Sequence, residues 1–470
     1  MKTSIITYST AFMLLVLSAC KVSKDVALPT DTSPDTFRNV TTTDTASIAS
    51  IQWKSFFNET SLQQLIDSSI ANNYDMQVAL KNIEAAQLIV HQSKLGYLPE
   101  ASINATGSIN RPSDNSLNGL SLSQFLGKSY VEDYTLNATL SWEADIWGKI
   151  KNQKSRALAG YLQTTEAKKA IQTNLVSAVA TGYYNLLMLD AQVGIAKKNL
   201  LLNDSTLNII KLQFDAGQVT ALAVQQSEAQ RLVAAQLIPQ LEQAIAVQEN
   251  ALSILAGINP TSIKREEDIS DIKFDDALSA GVPSQLLQNR PDVRSSELQL
   301  TIANANTGIA KANMYPSLII TATGGINSFK ASNWFNIPAS LFAAGTAGIT
   351  QPLFQRRQLK TQYELSKVER EKNVIQFRQS VLIAVGEVSD ELVKTTKLKE
   401  QQSIANTRVN TLQQATGNAN LLFKNGMANY LEVITAQSNV LQAELDLAVL
   451  KKDELNAVVE LYRSLGGGWK

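Results

Sequence analysis

Tyr134-Thr135-Leu136-Asn137-Ala138-Thr139-Leu140-Ser141-Trp142 sets an apolar residue at every even position and a polar one at every odd position. A period of two sends the two classes to opposite faces of a β-strand. About 9–11 such residues is the length a strand needs to cross a bilayer. Three other stretches carry the pattern. Ile103, Ala105, Gly107 and Ile109 alternate with Ser102, Asn104, Thr106, Ser108 and Asn110. Leu318, Ile320, Ala322, Gly324 and Ile326 alternate less cleanly with Ile319, Thr321, Thr323 and Asn327. Leu341, Ala343, Gly345, Ala347 and Ile349 alternate with Phe342, Ala344, Thr346 and Thr350. Strands are therefore predicted at 101–110, 133–142, 317–327 and 340–351. Four strands cannot close a barrel, and hydrocarbon does not tolerate an open sheet edge. The sequence asks for partners, most simply copies of itself.

The strand pairs belong to an internal repeat. Asn72-Asn73-Tyr74-Asp75 opens a helix that ends at Gly96-Tyr97-Leu98-Pro99, the last part of a helical stretch over 59–96. Asn289-Arg290-Pro291-Asp292 opens another that ends at Met314-Tyr315-Pro316, within a helical stretch over 284–314. Pro99 against Pro316 gives an offset of 217. Asp145-Ile146-Trp147-Gly148-Lys149 matches Pro352-Leu353-Phe354-Gln355-Arg356 at 207, and Phe214-Asp215-Ala216-Gly217 matches Phe423-Lys424-Asn425-Gly426 at 209. The drop from 217 to 207 implies a first hairpin loop, Arg111 to Tyr130, about ten residues longer than the second. Helices are predicted at 150–214, 219–256, 356–422 and 428–463, so that repeats span 59–256 and 284–463.

Leu175, Val179, Gly182, Leu186, Leu189, Val193, Ala196 and Leu200 follow a heptad seam. Ile434, Leu441, Leu445, Ala448, Leu455, Val459 and Tyr462 keep the same frame, interrupted by Ser438 and Lys452. A helix of some 65 residues is ~100 Å long. Pro239 falls inside 219–256 and is expected to bend it. Gly217 and Gly426 are expected to end the long helices in the αL conformation. The segment 257–283 mixes Pro, Gly and charge. It is read as part of a small mixed layer with residues near 46–58 and the tail 464–470.

At the N-terminus Met1-Lys2, an apolar run to Val16 and Leu17-Ser18-Ala19-Cys20 read as a signal peptide over 1–19. Cys20 is the only cysteine. It is either a chance residue of an ordinary signal or a lipidated one, and its solitary place at the cut site favours the second. Residues 20–58 then read as a lipidated tether, rich in Thr, Ser, Asp and Pro, leading into the mixed layer. Lysine plus arginine and aspartate plus glutamate balance at 42 each, which leaves no basic footprint for nucleic acid. His91 is the only histidine and has no cysteine to share a metal with. No phosphate loop or nucleophile elbow is present. The reading is a non-enzyme without metal or cofactor.

With these residues in place the chain resembles the outer-membrane factors of bacterial tripartite efflux pumps, the TolC superfamily, in its lipidated OprM/CusC/NodT branch. The matching motifs are Leu17-Ser18-Ala19-Cys20, Trp142-Glu143-Ala144-Asp145-Ile146-Trp147-Gly148-Lys149, Asn289-Arg290-Pro291-Asp292-Val293 and Leu461-Tyr462-Arg463-Ser464-Leu465-Gly466-Gly467-Gly468-Trp469. The resemblance implies a mainly α protein with a membrane β part. Three copies give four strands each to a 12-stranded transmembrane barrel, and their helices to a periplasmic α-barrel with an equatorial layer. It implies a bacterial outer-membrane location, lipid-anchored at Cys20, with the surrounding outer-membrane lipid, a periplasmic adaptor and a proton-driven inner-membrane pump as partners. The adaptor-facing tips would be Ala216, Gly217, Gln218, Val219 and Leu222 with Asn425, Gly426, Met427, Ala428 and Leu431. In the family it resembles, relatives often narrow the tip with acidic side chains on the second long helix. Here Gln401 to Lys424 contains no Asp or Glu, so a constriction falls to Asn410, Asn418 and Asn420.

The function expected is a passive exit duct for small molecules. Two alternatives stand beside it: the duct of a type I protein-secretion system, and a periplasmic coiled-coil scaffold that makes no channel.

Overall fold

The computed structural model describes residue 37 and residues 47–274 and 280–470. The helices are α1 (Trp53–Phe56), α2 (Thr60–Asn72), α3 (Tyr74–Leu95), α4 (Leu117–Leu126), α5 (Lys149–Asp215), α6 (Ala221–Leu255), α7 (Leu286–Asn289), α8 (Pro291–Ala312), α9 (Gln358–Lys424) and α10 (Tyr430–Ser464). The strands are β1 (Glu100–Asn110), β2 (Val131–Ala144), β3 (Ser317–Ser328) and β4 (Leu341–Thr350). No described helix is long and apolar enough to cross a membrane. The chain divides into two compact units, the first holding 84–162 and 298–375, the second holding 30–83, 163–297 and 376–470.

The duplication is residue-for-residue. Moving α3 by 217 gives α8, and moving α5 and α6 by 209 gives α9 and α10 with the same lengths. The hairpins show that 209 also holds in β2 and β4. The Trp142 indole donates to Tyr97 O at 2.9 Å, and the Gln351 amide donates to Met314 O at 3.1 Å. The offset of 207 read across Asp145–Lys149 is therefore corrected to 209, and the first hairpin loop is eight residues longer. The sequence match followed aromatic identity, Trp147 on Phe354, where the backbone pairs Trp147 with Arg356. That loop also carries helix α4, capped by Ser116.

Two further sequence readings need correction. The stretch 59–96 is two helices, broken at Asn73, whose side-chain oxygen caps α3 through Asp75 N and Met76 N. The stretch 284–314 likewise breaks at Arg290, because Pro291 cannot continue α7 but starts α8 well. Pro239 lies within α6, whose helix continues through it.

In the first unit the four strands form one antiparallel sheet in the order β1-β2-β3-β4. Register puts Leu140 opposite Ala101 and Ala322, and Ala322 opposite Gly345, so the apolar alternants share one face. The other face is laced with hydrogen bonds. Thr139 meets Thr323 at 3.2 Å, Asn104 donates to Asn137 at 3.3 Å, and Asn327 donates to Asp133 and Thr135 at 2.8 Å. One face thus suits hydrocarbon and the other water. Among the described residues nothing pairs with the outer edges of β1 and β4.

The core of the second unit gathers Trp53, Phe56, Phe57, Leu62, Tyr183, Tyr184, Leu252 and Tyr462. Phe56 stacks on Tyr462 at 4.1 Å and on Phe274 at 5.2 Å, and Ser47 bridges to Ala280. The Tyr462 hydroxyl donates to Ile51 O at 2.6 Å, and burial pushes that phenol up to about 12. Phe37, inside the stretch read as tether, is buried in this core.

Candidate functional site

Two surfaces hold the residues that the sequence singled out. In the second unit, α5 ends in a Schellman turn: Gly217 has φ of 70°, its N–H bonds Phe214 O at 2.9 Å, and Gln218 N bonds Gln213 O at 2.8 Å. The end of α9 repeats it. Gly426 has φ of 71°, its N–H bonds Phe423 O at 3.0 Å, and Met427 N bonds Leu422 O at 2.9 Å. A Cβ on either glycine would meet nothing within 4 Å, so backbone conformation alone demands glycine there. Thr220 and Asn429 then begin α6 and α10. Only Asn429 caps with its side chain, accepting from Leu431 N and Glu432 N.

Beneath these turns Ile210, Ala223, Phe423 and Val433 form a small core, with Val219, Ala419, Ala428 and Tyr430 packed against it. Val219 and Ala428 are half-buried, whereas Ala216, Gly217, Gln218, Leu222, Asn425, Gly426, Met427 and Leu431 are exposed. Each turn thus presents an exposed leucine, with an exposed methionine in the second.

Asn410, Asn418 and Asn420 do not all share one face of α9. Asn410 and Asn418 are exposed, while Asn420 lines a cavity with Lys198, Asn199, Gln413 and Thr416. At about 100° per residue, Asn418 and Asn420 lie roughly 160° apart around the helix. Cys20 lies outside the described residues.

Sequence reading missed a buried polar ladder between α5 and α10. The Asn199 amide donates to Gln437 O at 3.3 Å, the Asn203 amide to Asn199 Oδ1 at 2.7 Å, and the Gln437 amide to Thr206 Oγ1 at 2.8 Å. Its signal in the sequence is three polar residues, Asn199, Asn203 and Thr206, at i, i+4 and i+7, the spacing of one helix face. It also missed a clamp present in both repeats. The Asn73 amide donates to Leu255 O at 3.0 Å, and the Arg290 guanidinium donates to Ser464 O at 2.9 Å. Arg290 is buried and additionally holds Asp292 at 2.6 Å and Glu387 at 2.7 Å. Gly257 and Gly466, with φ of 66° and 90°, lie so close to Asn72 O and Asn289 O that a Cβ would come within 2.4 and 2.5 Å of them.

Among the described residues no group of three or more His, Cys, Asp or Glu side chains is placed to hold a metal. What the geometry offers is a membrane-length sheet with open edges and a helical end with exposed apolar turns.

Comparison with known proteins agrees with this arrangement. The toluene efflux pump outer membrane protein TtgF of Pseudomonas putida is 30% identical over 426 residues, covering 90% of this chain and 86% of that protein. The cation efflux system protein CusC of Escherichia coli is 26% identical over 459 residues, covering 97% of each. The solved outer-membrane channel OprN superposes with a TM-score of 0.87 at 23% identity, covering 96% of this chain and 100% of that one, which shows a shared TolC-like fold. The family model described as outer membrane efflux protein matches residues 65–258 and 282–467. The chain therefore belongs to the outer membrane efflux protein family and serves as an outer-membrane channel of efflux, a transport component from a family that is not a class of enzymes.

Proposed function

We propose that three copies assemble into one duct whose helical turns at Gly217 and Gly426 dock a periplasmic adaptor, which connects the duct to an inner-membrane pump. The observation that carries this is the sheet of four membrane-length strands, both of whose edges are unpaired among the described residues of a single chain. Three copies supply twelve strands, an even number that closes. The two turns repeat the same geometry, so a trimer would present six equivalent turns to its partner. The duct is passive, and energy comes from the pump. Asn410 and Asn418, exposed on α9, are proposed as a polar constriction in place of acidic side chains, without Asn420. Cys20 is proposed as a lipid anchor, which the mass of the mature N-terminal peptide reads directly. The cargo named for relatives differs, toluene for TtgF and cations for CusC.

The test is a double substitution, Gly217→Val with Gly426→Val. A β-branched residue at positive φ costs about 1 kcal/mol or more at each turn. Insertion and assembly are expected to remain intact, while efflux from whole cells falls as docking weakens. Wild-type efflux with both changes present would show that the adaptor docks elsewhere.

A further inference from the structure

The two ends of the sheet differ in charge. At the hairpin end Arg111, Lys128 and Lys330 stand against Asp114, Glu132 and Asp133, so that end is neutral. At the other end β4 finishes at Thr350, paired with the start of β3, and the chain runs on into α9. Between Leu341 and Tyr363 it holds no acid and three cations, Arg356, Arg357 and Lys360. All three are exposed, and among the described residues no partner meets their charged groups.

The same junction in the first repeat, 209 residues earlier, is closed on itself. Glu143 pairs with Lys149 at 2.9 Å, and the Asp145 carboxylate accepts from Ile150 N and Lys151 N, both at 2.9 Å. In the second repeat Pro352 and Phe354 stand in place of those acids. Phe354 is 98% exposed and Leu353 is 79% exposed. Gly148, with φ of 74°, gives way to Arg357 with φ of 64°, and Arg356 before it has φ of 46°. Glycine takes that left-handed backbone freely, whereas two consecutive arginines are strained in it. Such residues gather at ligand clamps.

Leu353, Phe354, Arg356, Arg357 and Lys360 line one open groove of about 590 Å³ together with Met314. Its apolar wall comes from residues next to the strands, its cationic wall from those leading into α9. Strands of membrane length end where hydrocarbon gives way to headgroups, and aromatic side chains beside arginine and lysine suit that boundary. A guanidinium grips phosphate through two parallel N–H bonds. We propose that the groove holds an anionic phospholipid, its phosphate against Arg356, Arg357 and Lys360 and an acyl chain against Leu353 and Phe354. A soluble anion would satisfy the cations but leave both apolar side chains in water; a lipid satisfies both walls. The leaflet is the periplasmic one, which rests on the reading that the helices lie in the periplasm.

The test uses the full-length particle extracted from the outer membrane and mixed with phosphatidylglycerol or phosphatidylcholine, with bound lipid counted by native mass spectrometry. Phosphatidylglycerol should be retained preferentially, and Arg356→Gln with Arg357→Gln and Lys360→Gln should lower that preference about tenfold. Arg357→Gly alone should weaken retention yet raise the unfolding temperature, because it removes strain and a phosphate ligand together. Arg111→Gln with Lys330→Gln, at the hairpin end, should leave the preference unchanged. Equal retention of the two lipids, or a preference that survives the triple change, overturns the proposal. So does an equal loss with the hairpin-end changes. Lower stability with Arg357→Gly would mark that arginine as structural and also overturn it. Two further readouts use a Cys20→Ser chain. A fluorophore on Phe354→Cys that brominated phosphatidylglycerol in vesicles fails to quench would show the groove covered by a second copy or another protein, against the proposal. Labelling of Gln355→Cys in place of Lys330→Cys by an impermeant maleimide on intact cells would overturn the periplasmic leaflet and leave the groove standing.

Discussion

Phe214 and Phe423 stand at the same point of the two repeats, one at the end of α5 and the other at the end of α9, yet Phe423 is 4% exposed and Phe214 is 43% exposed. Their backbones are alike, since both precede a Schellman turn closed by glycine. The difference lies in what is nearby. Phe423 is enclosed by Ile210 and Ala223 of the first repeat and by Val433 of its own. The matching enclosure for Phe214 would be Ala419 and Glu432 of another copy, with Val224 of its own repeat. The duplicated chain thus shows the same position of its repeat once enclosed and once open.

The largest effect is expected where that contrast is sharpest. Phe423→Ala removes a fully packed ring and should cost about 3–5 kcal/mol of tip stability in any oligomeric state. Phe214→Ala should leave the fold of one chain nearly unchanged and lower the temperature at which copies separate on a gel. Equal effects of the two changes on both readouts would break the comparison.

A second contrast pairs the clamps. Arg290→Ala leaves the Ser464 carbonyl and Glu387 without their buried partner and should cost about 3 kcal/mol. Asn73→Ala loses one neutral bond to Leu255 O and one helix cap, and should cost about 1 kcal/mol. Thermal unfolding in detergent measures both. The Arg290 clamp also carries a pH signature. Burial pushes the Asp292 carboxyl upward, but the Arg290 guanidinium overrides this and holds it below the ordinary carboxylate value. Stability from this group is therefore full above the unfolded value, ~3.9, and is lost as pH falls through the folded one. The acid-side loss should be smaller in Arg290→Ala.

Much of this was legible beforehand because the forces concerned are local. Alternation marked β1 to β4 since a strand's faces are fixed by backbone geometry alone. Gly217 and Gly426 were legible because αL conformation selects glycine whatever surrounds it. The breaks at Asn73 and Arg290 were blurred because helical periodicity continues through them, while the bonds to Leu255 O and Ser464 O that define them join positions 182 and 174 residues apart. The offset of 207 failed for a related reason: sequence aligned Trp147 with an aromatic, whereas structure assigns its place to Arg356.

On the trimer reading this chain makes a channel only in company. Native mass measurement of the full-length protein extracted from the outer membrane tests it most directly. Three chains per particle is the expected result, because twelve strands close and four do not. A folded particle containing a single chain, with its strands protected from hydrogen exchange, would contradict it.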